Sequence, residues 1–215
     1  MTEPEKRAKL ILELRREGIS DTRVLAAIER VPRELFVPRA FRERAYENVA
    51  LPIGHGQTIS QPYVVALMTE ALELTDRNIV LEIGTGSGYQ AAVLARLARR
   101  VFTIERHRAM QETAEERFKE LRLNNITCRF GDGTKGWPEP RQFDRIIVTA
   151  AAATIPDALF DSLGEGGVLV APVGDEKRDQ MLTRVRRLEG GFNAEALGVV
   201  RFVPLVAGLP RQAAR

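Results

Sequence analysis

Three glycines at alternate positions, Gly84, Gly86 and Gly88 in VLEIGTGSGYQAAVLA, separate a β-rich apolar run from apolar residues at helical spacing. Such a turn brings backbone N–H groups close to a nucleotide-like ligand at a helix N-terminus. The spacing narrows the ligand. A dinucleotide fingerprint reads G-x-G-x-x-G and places a pyrophosphate on the helix. Here the pattern is G-x-G-x-G, with Glu82 two residues before Gly84. A carboxylate at that point repels phosphate and suits an ammonium or sulfonium group. Glu105 closes the next β-rich run, roughly twenty residues on, where a carboxylate can accept both ribose hydroxyls of an NAD-type cofactor or of S-adenosylmethionine. Asp132, in FGDG, follows a third run and is placed to accept from an adenine amino group, with Gly131 and Gly133 letting the backbone approach the ring. Each residue alone also fits a plainer role: turn glycine, helix cap or solvated charge. Jointly they fit an adenosyl sulfonium ligand better than a dinucleotide.

These residues must be held by strand ends, and the chain supplies them in order. IVLEI, VFTIE, ITCRF, FDRIIVTAA and GGVLVAPVG read as five strands. Helical spacing at about 89–99 and 108–121, and in IPDALFDSL, fills the gaps between them. Strands alternating with helices imply right-handed crossovers and an α/β, Rossmann-like doubly wound, mostly parallel sheet with helices on both faces. After GGVLVAPVG the pattern changes: QMLTRVRRLEGGFNAEALGVVRFVPLV reads as two strands joined near Gly190 and Gly191, a C-terminal antiparallel hairpin. LPRQAAR reads as a frayed tail. At the other end, residues 5–17, stopping at Gly18, and a second segment capped by Asp21 and ended before Pro32 form an N-terminal helical cover. Phe36, Phe41 and Tyr46 are its expected anchors. A helix from 63 to 74 has Pro62 in its first turn, so GHGQTISQPY, residues 54–63, is the lead-in to a helix N-terminus. The expected organisation is one domain over 1–215: cover 1–53, cofactor-binding core 54–175, C-terminal strands and tail 176–215.

Composition removes several classes of function. The chain has 215 residues, 32 Lys+Arg against 29 Asp+Glu and a formal charge of +3, with basic residues interleaved with acidic ones, which argues against an electrostatic nucleic-acid binder. Cys128 is the single cysteine, and His55 and His107 are the two histidines, so neither an internal disulfide nor a thiolate/imidazole metal cage is expected. No apolar run approaches membrane-spanning length and the N-terminus is charged throughout, so a cytoplasmic protein without a membrane partner is expected.

ALPIGHGQTISQPYVVALMTEAL, VLEIGTGSGYQAAVLA, GDGTKGW, FDRIIVTAAAATIP, LGEGGVLVAPVG and VRFVPLV, in this order from about 31 to 208, together resemble protein-L-isoaspartate O-methyltransferases. The first stretch is the most diagnostic, because the glycine turn is shared by a large class of S-adenosylmethionine-dependent methyltransferases. The stretches GTKGW and AAAATIP depart from the family's pattern. The resemblance implies methyl transfer to the free α-carboxylate of L-isoaspartyl residues, whose ester then cyclises to a succinimide, a protein-repair reaction. It places the active-site serine on Ser60, the glycine loop on Gly84, Gly86 and Gly88, the ribose acid on Glu105, and the adenine-side pair on Asp132 and Gly133. Thr58, Ile59, Gln61, Glu82, Thr85, Ser87 and Arg106 are expected to complete the cofactor's surroundings. Thr58, Ser60, Thr149, Ala150, Pro204, Leu205 and Val206 are expected to line the substrate groove. Isoaspartyl proteins and peptides are the implied partners of a monomer. Methyltransfer to RNA or a small molecule is the alternative activity, predicting a strongly basic face or an enclosing lid. A non-enzymatic adenosyl-binding module is a third reading.

An α-carboxyl titrates at roughly 3.5, so at neutral pH the implied acceptor is already an anion and needs no general base. It needs orientation. The N-terminus of the helix beginning near Pro62 can attract it, and the Ser60 hydroxyl can donate one hydrogen bond to fix an oxygen in line with the methyl–sulfur bond. Ser60 two residues before Pro62 also fits a helix N-cap. His55, without an acidic partner in the sequence pattern, reads as a loop histidine.

Overall fold

Two short helices open the chain in the computed structural model, which describes residues 2–175 and 178–210. In α1 (Glu3–Arg16) the Thr2 N–H donates to Glu5 Oε2 at 2.7 Å, and the chain leaves the helix through Gly18 at φ 105°. Asp21 caps α2 (Thr22–Arg30) by accepting from the Arg23 N–H at 2.8 Å, and Val31 ends it. Leu10, Leu14, Val24, Leu25 and Ile28 are buried, as are Phe36 and Tyr46 just beyond, while Phe41 is half-buried. Burial of these side chains fastens the cover to the main core.

The glycine-rich lead-in is more than a loop. It is a hairpin of β1 (Leu51–Gly54) against β2 (Gln57–Ile59), and its tip residues Gly54, His55 and Gly56 have φ 98°, 51° and 69°. A two-stranded ribbon is marginal alone, and this one is anchored by buried Leu51 and Ile59. Next, α3 (Pro62–Ala71) starts at Pro62 as expected but stops before Leu74, where Glu73 turns the chain at φ 51°.

β3 (Ile79–Ile83), α4 (Tyr89–Leu94), β4 (Arg100–Glu105), α5 (Arg108–Glu120), β5 (Ile126–Phe130), β6 (Phe143–Val148), α6 (Asp157–Ser162) and β7 (Leu163–Val173) follow the expected alternation. β8 (Gln180–Leu188) and β9 (Gly191–Val200) form the expected hairpin. The seven-stranded sheet has the order β5-β4-β3-β6-β7-β8-β9, parallel from β5 to β7 and antiparallel at its end. α4 is shorter than 89–99. The carbonyls of Ala95 and Ala98 accept from Asn125 Nδ2 at 2.9 and 3.2 Å, and the Arg99 N–H is turned to Asn78, so the last turn is redirected into β4.

Adjacent residues on the strands face opposite cores, the period of two that a strand imposes. Val80, Val101, Ile147 and Val168 join α1 to α5 on one side. Leu81, Phe102, Ile146 and Leu169 meet Leu159 of α6 on the other. After β3 the chain winds to one side through β4 and β5 and then returns to place β6 on the other flank of β3. That reversal opens a crevice beyond the tips of β3 and β6, where open α/β sheets bind ligands. Residues 211–215, most of the tail read as frayed, lie outside the described residues.

Candidate active site

Beyond the tips of β3, β4 and β6 lies a cleft floored by the glycine turn. Gly84, Thr85, Gly86 and Ser87 line it, with Glu105, Arg106 and His107 on one side and Thr149 and Ala150 on the other. The β1–β2 hairpin closes it from above through Gln57, Thr58, Ile59 and Ser60, and Val203, Pro204, Leu205 and Val206 form the far wall. A second groove adjoins it, lined by Ser60, Gln61, Tyr63, Leu197, Val200 and Phe202 among others. Thr58, Ser60, Thr149 and Val203 belong to both walls, so the two spaces meet at Ser60.

The turn keeps its shape through bonds from three directions. Thr149 donates its N–H to the Ile83 carbonyl at 2.9 Å, and its hydroxyl lies 2.6 Å from the Gly84 carbonyl. Arg117 donates to the Ser87 carbonyl at 2.8 Å. Glu105 accepts from the Gly86 N–H at 2.8 Å and from the His107 N–H at 2.9 Å. Each carboxylate oxygen offers more than one acceptor direction, so both can still receive hydroxyl donors from the cleft. A β-carbon on Gly84 would fall 2.5 Å from Thr149 Oγ1, and one on Gly88 would fall 2.8 Å from the Phe118 ring. Gly84 therefore permits approach of β6's tip. Gly88 permits packing of α5 and is not part of the cleft wall.

Three other expected cofactor residues stand elsewhere. Glu82 is fully buried and outside the cleft wall. Register pairs it with Thr103, whose hydroxyl donates to Glu82 Oε2 at 2.5 Å, and Thr85 Oγ1 lies 2.6 Å from Thr103 Oγ1. Burial pushes the Glu82 carboxyl up to about 8, so at neutral pH it is mostly uncharged. It props the turn from below and offers no negative charge to a sulfonium. Asp132 is also absent from the wall. Its Oδ1 accepts from the Thr134 N–H and hydroxyl at 3.0 and 2.7 Å, capping a single turn at Gly133–Lys135, and its Oδ2 accepts from the Gly208 N–H at 2.8 Å. Gly133 does line the cleft. Gln61 faces the adjoining groove.

The C-terminal segment 203–208 proves to be a strap over the strand tips. Ala151 donates to the Val203 carbonyl at 2.8 Å, Leu205 donates to the Ala151 carbonyl at 2.6 Å, and Arg106 Nε donates to the Gly208 carbonyl at 3.2 Å. Pro204, Leu205 and Val206 therefore line the cleft itself and are not in the adjoining groove.

Ser60 is not the N-cap of α3; Gln61 occupies that position. Among the described residues the Ser60 hydroxyl has no hydrogen-bond partner. Of the first helical amides, Pro62 has none to offer and the Tyr63 N–H donates to Asn48 Oδ1 at 2.9 Å. The helix start thus has fewer amides to offer a ligand than a regular first turn. Behind Ser60 stands Arg33, fully buried, whose Nη2 donates to the Ser60 carbonyl at 2.7 Å. Its guanidinium carbon sits 4.8 Å from the centre of the Tyr89 ring, and burial pushes its pKa below the usual guanidinium range. Tyr89, Gln90, Gln57 and His107 line the cleft although their sequence context does not mark them as site residues. For Gln57 the adjoining TIS stretch is the available signal. For His107 nothing local marks it: its ring lies over that of His55 at 5.6 Å, and burial lowers its pKa.

A family model described as protein-L-isoaspartate(D-aspartate) O-methyltransferase matches residues 5–209. The chain belongs to that family. It is similar to the protein-L-isoaspartate O-methyltransferase of Rhodospirillum rubrum, with 59% identity over 98% of this chain and 97% of the relative. The namesake from Rhodospirillum centenum is 56% identical over 100% of this chain and 98% of its own length. Among solved structures, one of a protein-L-isoaspartate O-methyltransferase superposes with a TM-score of 0.85 at 31% identity, covering 94% of this chain and 66% of the other. A second, from Plasmodium falciparum and described as a complex with S-adenosyl-L-homocysteine, has a TM-score of 0.78 at 26% identity, covering 92% of this chain and 97% of the other. The family has the fold derived above: a mostly parallel, Rossmann-like sheet ending in an antiparallel hairpin.

Proposed function

We infer that the chain transfers a methyl group from S-adenosylmethionine to the free α-carboxylate of L-isoaspartyl residues in damaged proteins and peptides. Family membership supports the reaction class. One feature of the geometry carries the reading: a serine hydroxyl without a partner among the described residues stands where a glycine-floored cleft meets a second groove. The cleft fits an adenosyl group, because it offers the Glu105 carboxylate for ribose hydroxyls and close backbone at Gly84, Gly86 and Gly133. Thr58, Ile59, Thr85, Ser87 and Arg106 surround that space. Glu82, Gly88 and Asp132 serve it from behind, by holding the turn, seating α5 and pinning the strap.

When bound, S-adenosylmethionine supplies an electrophilic methyl group on a sulfonium. The acceptor carboxylate brings its own nucleophilic electron pair, so Ser60 serves to position it. The serine hydroxyl donates to one carboxylate oxygen and leaves the other directed at the cleft. Thr58 and Thr149 flank that point. Alignment of this kind is worth about 7–11 kcal/mol in favourable cases. The strap and hairpin exclude water while an anion and a cation neutralise each other. The adjoining groove receives the peptide on either side of the damaged residue. The resulting ester cyclises to a succinimide without further help from the chain.

The deciding experiment compares two synthetic peptides that differ only in carrying isoaspartate or aspartate, with labelled S-adenosylmethionine as donor. Transfer confined to the isoaspartyl peptide is the expected result; no transfer, or equal transfer to both, overturns the assignment. We further infer a cytoplasmic monomer acting on isoaspartyl proteins without nucleic-acid or membrane partners. Among the described residues no helix is long and apolar enough to cross a membrane. Sedimentation at the 24.0 kDa of one chain is the check on the monomer.

A further inference from the structure

Arg33 poses an electrostatic problem. A guanidinium keeps its charge in proteins and is costly to bury without a counter-ion. Arg33 is fully buried, yet its two strongest neighbours are a carbonyl oxygen, that of Ser60 at 2.7 Å, and the face of Tyr89. The Val49 carbonyl lies farther off, at 3.5 Å. Among the described residues Nε and Nη1 have no oxygen or nitrogen partner at hydrogen-bond distance. Among the described residues Arg33 forms no ion pair, and Glu34, its neighbour in sequence, is engaged by Arg7 and the Tyr46 hydroxyl. A buried cation without an anion stands directly behind the serine that faces the cleft.

We propose that Arg33 is a positioning residue for the acceptor: seated on the Ser60 carbonyl, it supplies the positive potential that draws the substrate α-carboxylate to the Ser60 hydroxyl. The proposal rests on the methyltransferase reading above. It gives Arg33 a role that the start of α3 fills only in part, because Pro62 lacks an N–H and the Tyr63 N–H is already given to Asn48. It also sets the kinetic signature. The acceptor loses its negative charge as its oxygen bonds to the methyl carbon and the methyl–sulfur bond breaks, the sulfonium leaving as the neutral thioether S-adenosylhomocysteine, so attraction by Arg33 acts on the bound anion at least as strongly as on the transition state. Removing it raises KM and does not lower kcat.

The test uses the full chain as R33M, which keeps length and removes charge, and R33K, which returns charge without the planar fork. Wild type is assayed first with the isoaspartyl peptide; if it transfers no methyl group, the methyltransferase reading fails and Arg33 is not at issue. With wild type active, R33M is expected to raise the peptide KM about tenfold or more, with kcat and the Kd for S-adenosylhomocysteine each within about threefold. R33K is expected to recover most of the KM. The proposal is overturned if R33M keeps the wild-type KM, if its kcat or cofactor affinity falls as far as KM rises, or if lysine fares no better than methionine. Should R33M fail to fold by circular dichroism, R33K decides: KM within about threefold of wild type supports the role of charge, and a tenfold rise overturns it.

Discussion

Replacing Ser60 by alanine removes a hydroxyl that has no partner among the described residues, so the fold loses little while the acceptor loses its one oriented donor. The expected cost is about 10²-fold in kcat, the usual effect of deleting one donor aimed at reacting oxygens. Affinity for S-adenosylhomocysteine, measured by calorimetry, stays close to wild type. Glu105→Ala does the reverse. It removes the acceptor for ribose hydroxyls and for the Gly86 and His107 amides, and hydrogen bonds to a charged group are worth about 1.5–3 kcal/mol, so cofactor Kd rises about 10- to 100-fold. Swapped effects would contradict both roles. Glu82 gives a stability test. Its carboxyl titrates near 8 when folded against an ordinary 4.5. Below the ordinary value both states hold the proton. Between there and about 8 the folded chain alone holds it, so stability falls as pH rises, and above that the penalty is constant. Glu82→Gln abolishes this dependence. The Tm advantage of the variant over wild type should therefore grow from about pH 5 to about pH 8 and then level; a difference independent of pH would refute the buried neutral carboxyl.

The turn after β3 ties one short stretch to three other elements. Thr149 from β6, Arg117 from α5, Glu105 from β4 and Thr103 beneath it all hold the turn or the strand leading into it. Gly88 sits at φ 89° with Phe118 of α5 where a β-carbon would go. Gly88→Ala therefore combines left-handed strain of about 1–2 kcal/mol with overpacking of about 1–3 kcal/mol. A chain of this size should lose about 4–20 °C in Tm, which differential scanning calorimetry would show. An unchanged Tm would mean that α5 shifts freely. Strand and helix alternation is plain in the sequence because buried parallel strands are β-rich apolar runs bounded by turns. The hairpin at 51–59 is not, because its strands are too short to show alternation and Gly54, His55 and Gly56 read equally well as loop. Likewise the end of α4 is set by Asn125, a residue 30 positions from Ala95.

The β3–β6 reversal, the hairpin flap and the strap enclose one cleft from three distant parts of the chain. A ligand bound there touches all of them and so stabilises the fold as a unit. At a free concentration of about one hundred times Kd, S-adenosylhomocysteine should add about 2.7 kcal/mol, or about 5–10 °C in Tm, rising with the logarithm of concentration. Absence of any rise would place the cofactor elsewhere. Family membership, the parallel sheet, the glycine turn and Glu105 could all be read along the chain, because each is encoded by periodicity or by residues within one turn of each other. Where the polar groups near that turn point could not. Glu82 and Asp132 read as ligand-facing carboxylates; pairing of β3 with β4 buries the first against Thr103, and the second already accepts from Thr134 and from the strap. Arg33, 27 residues before Ser60, became visible only when folding laid the cover behind the flap, since whether a charge is solvated, paired or stranded depends on neighbours that sequence distance does not report.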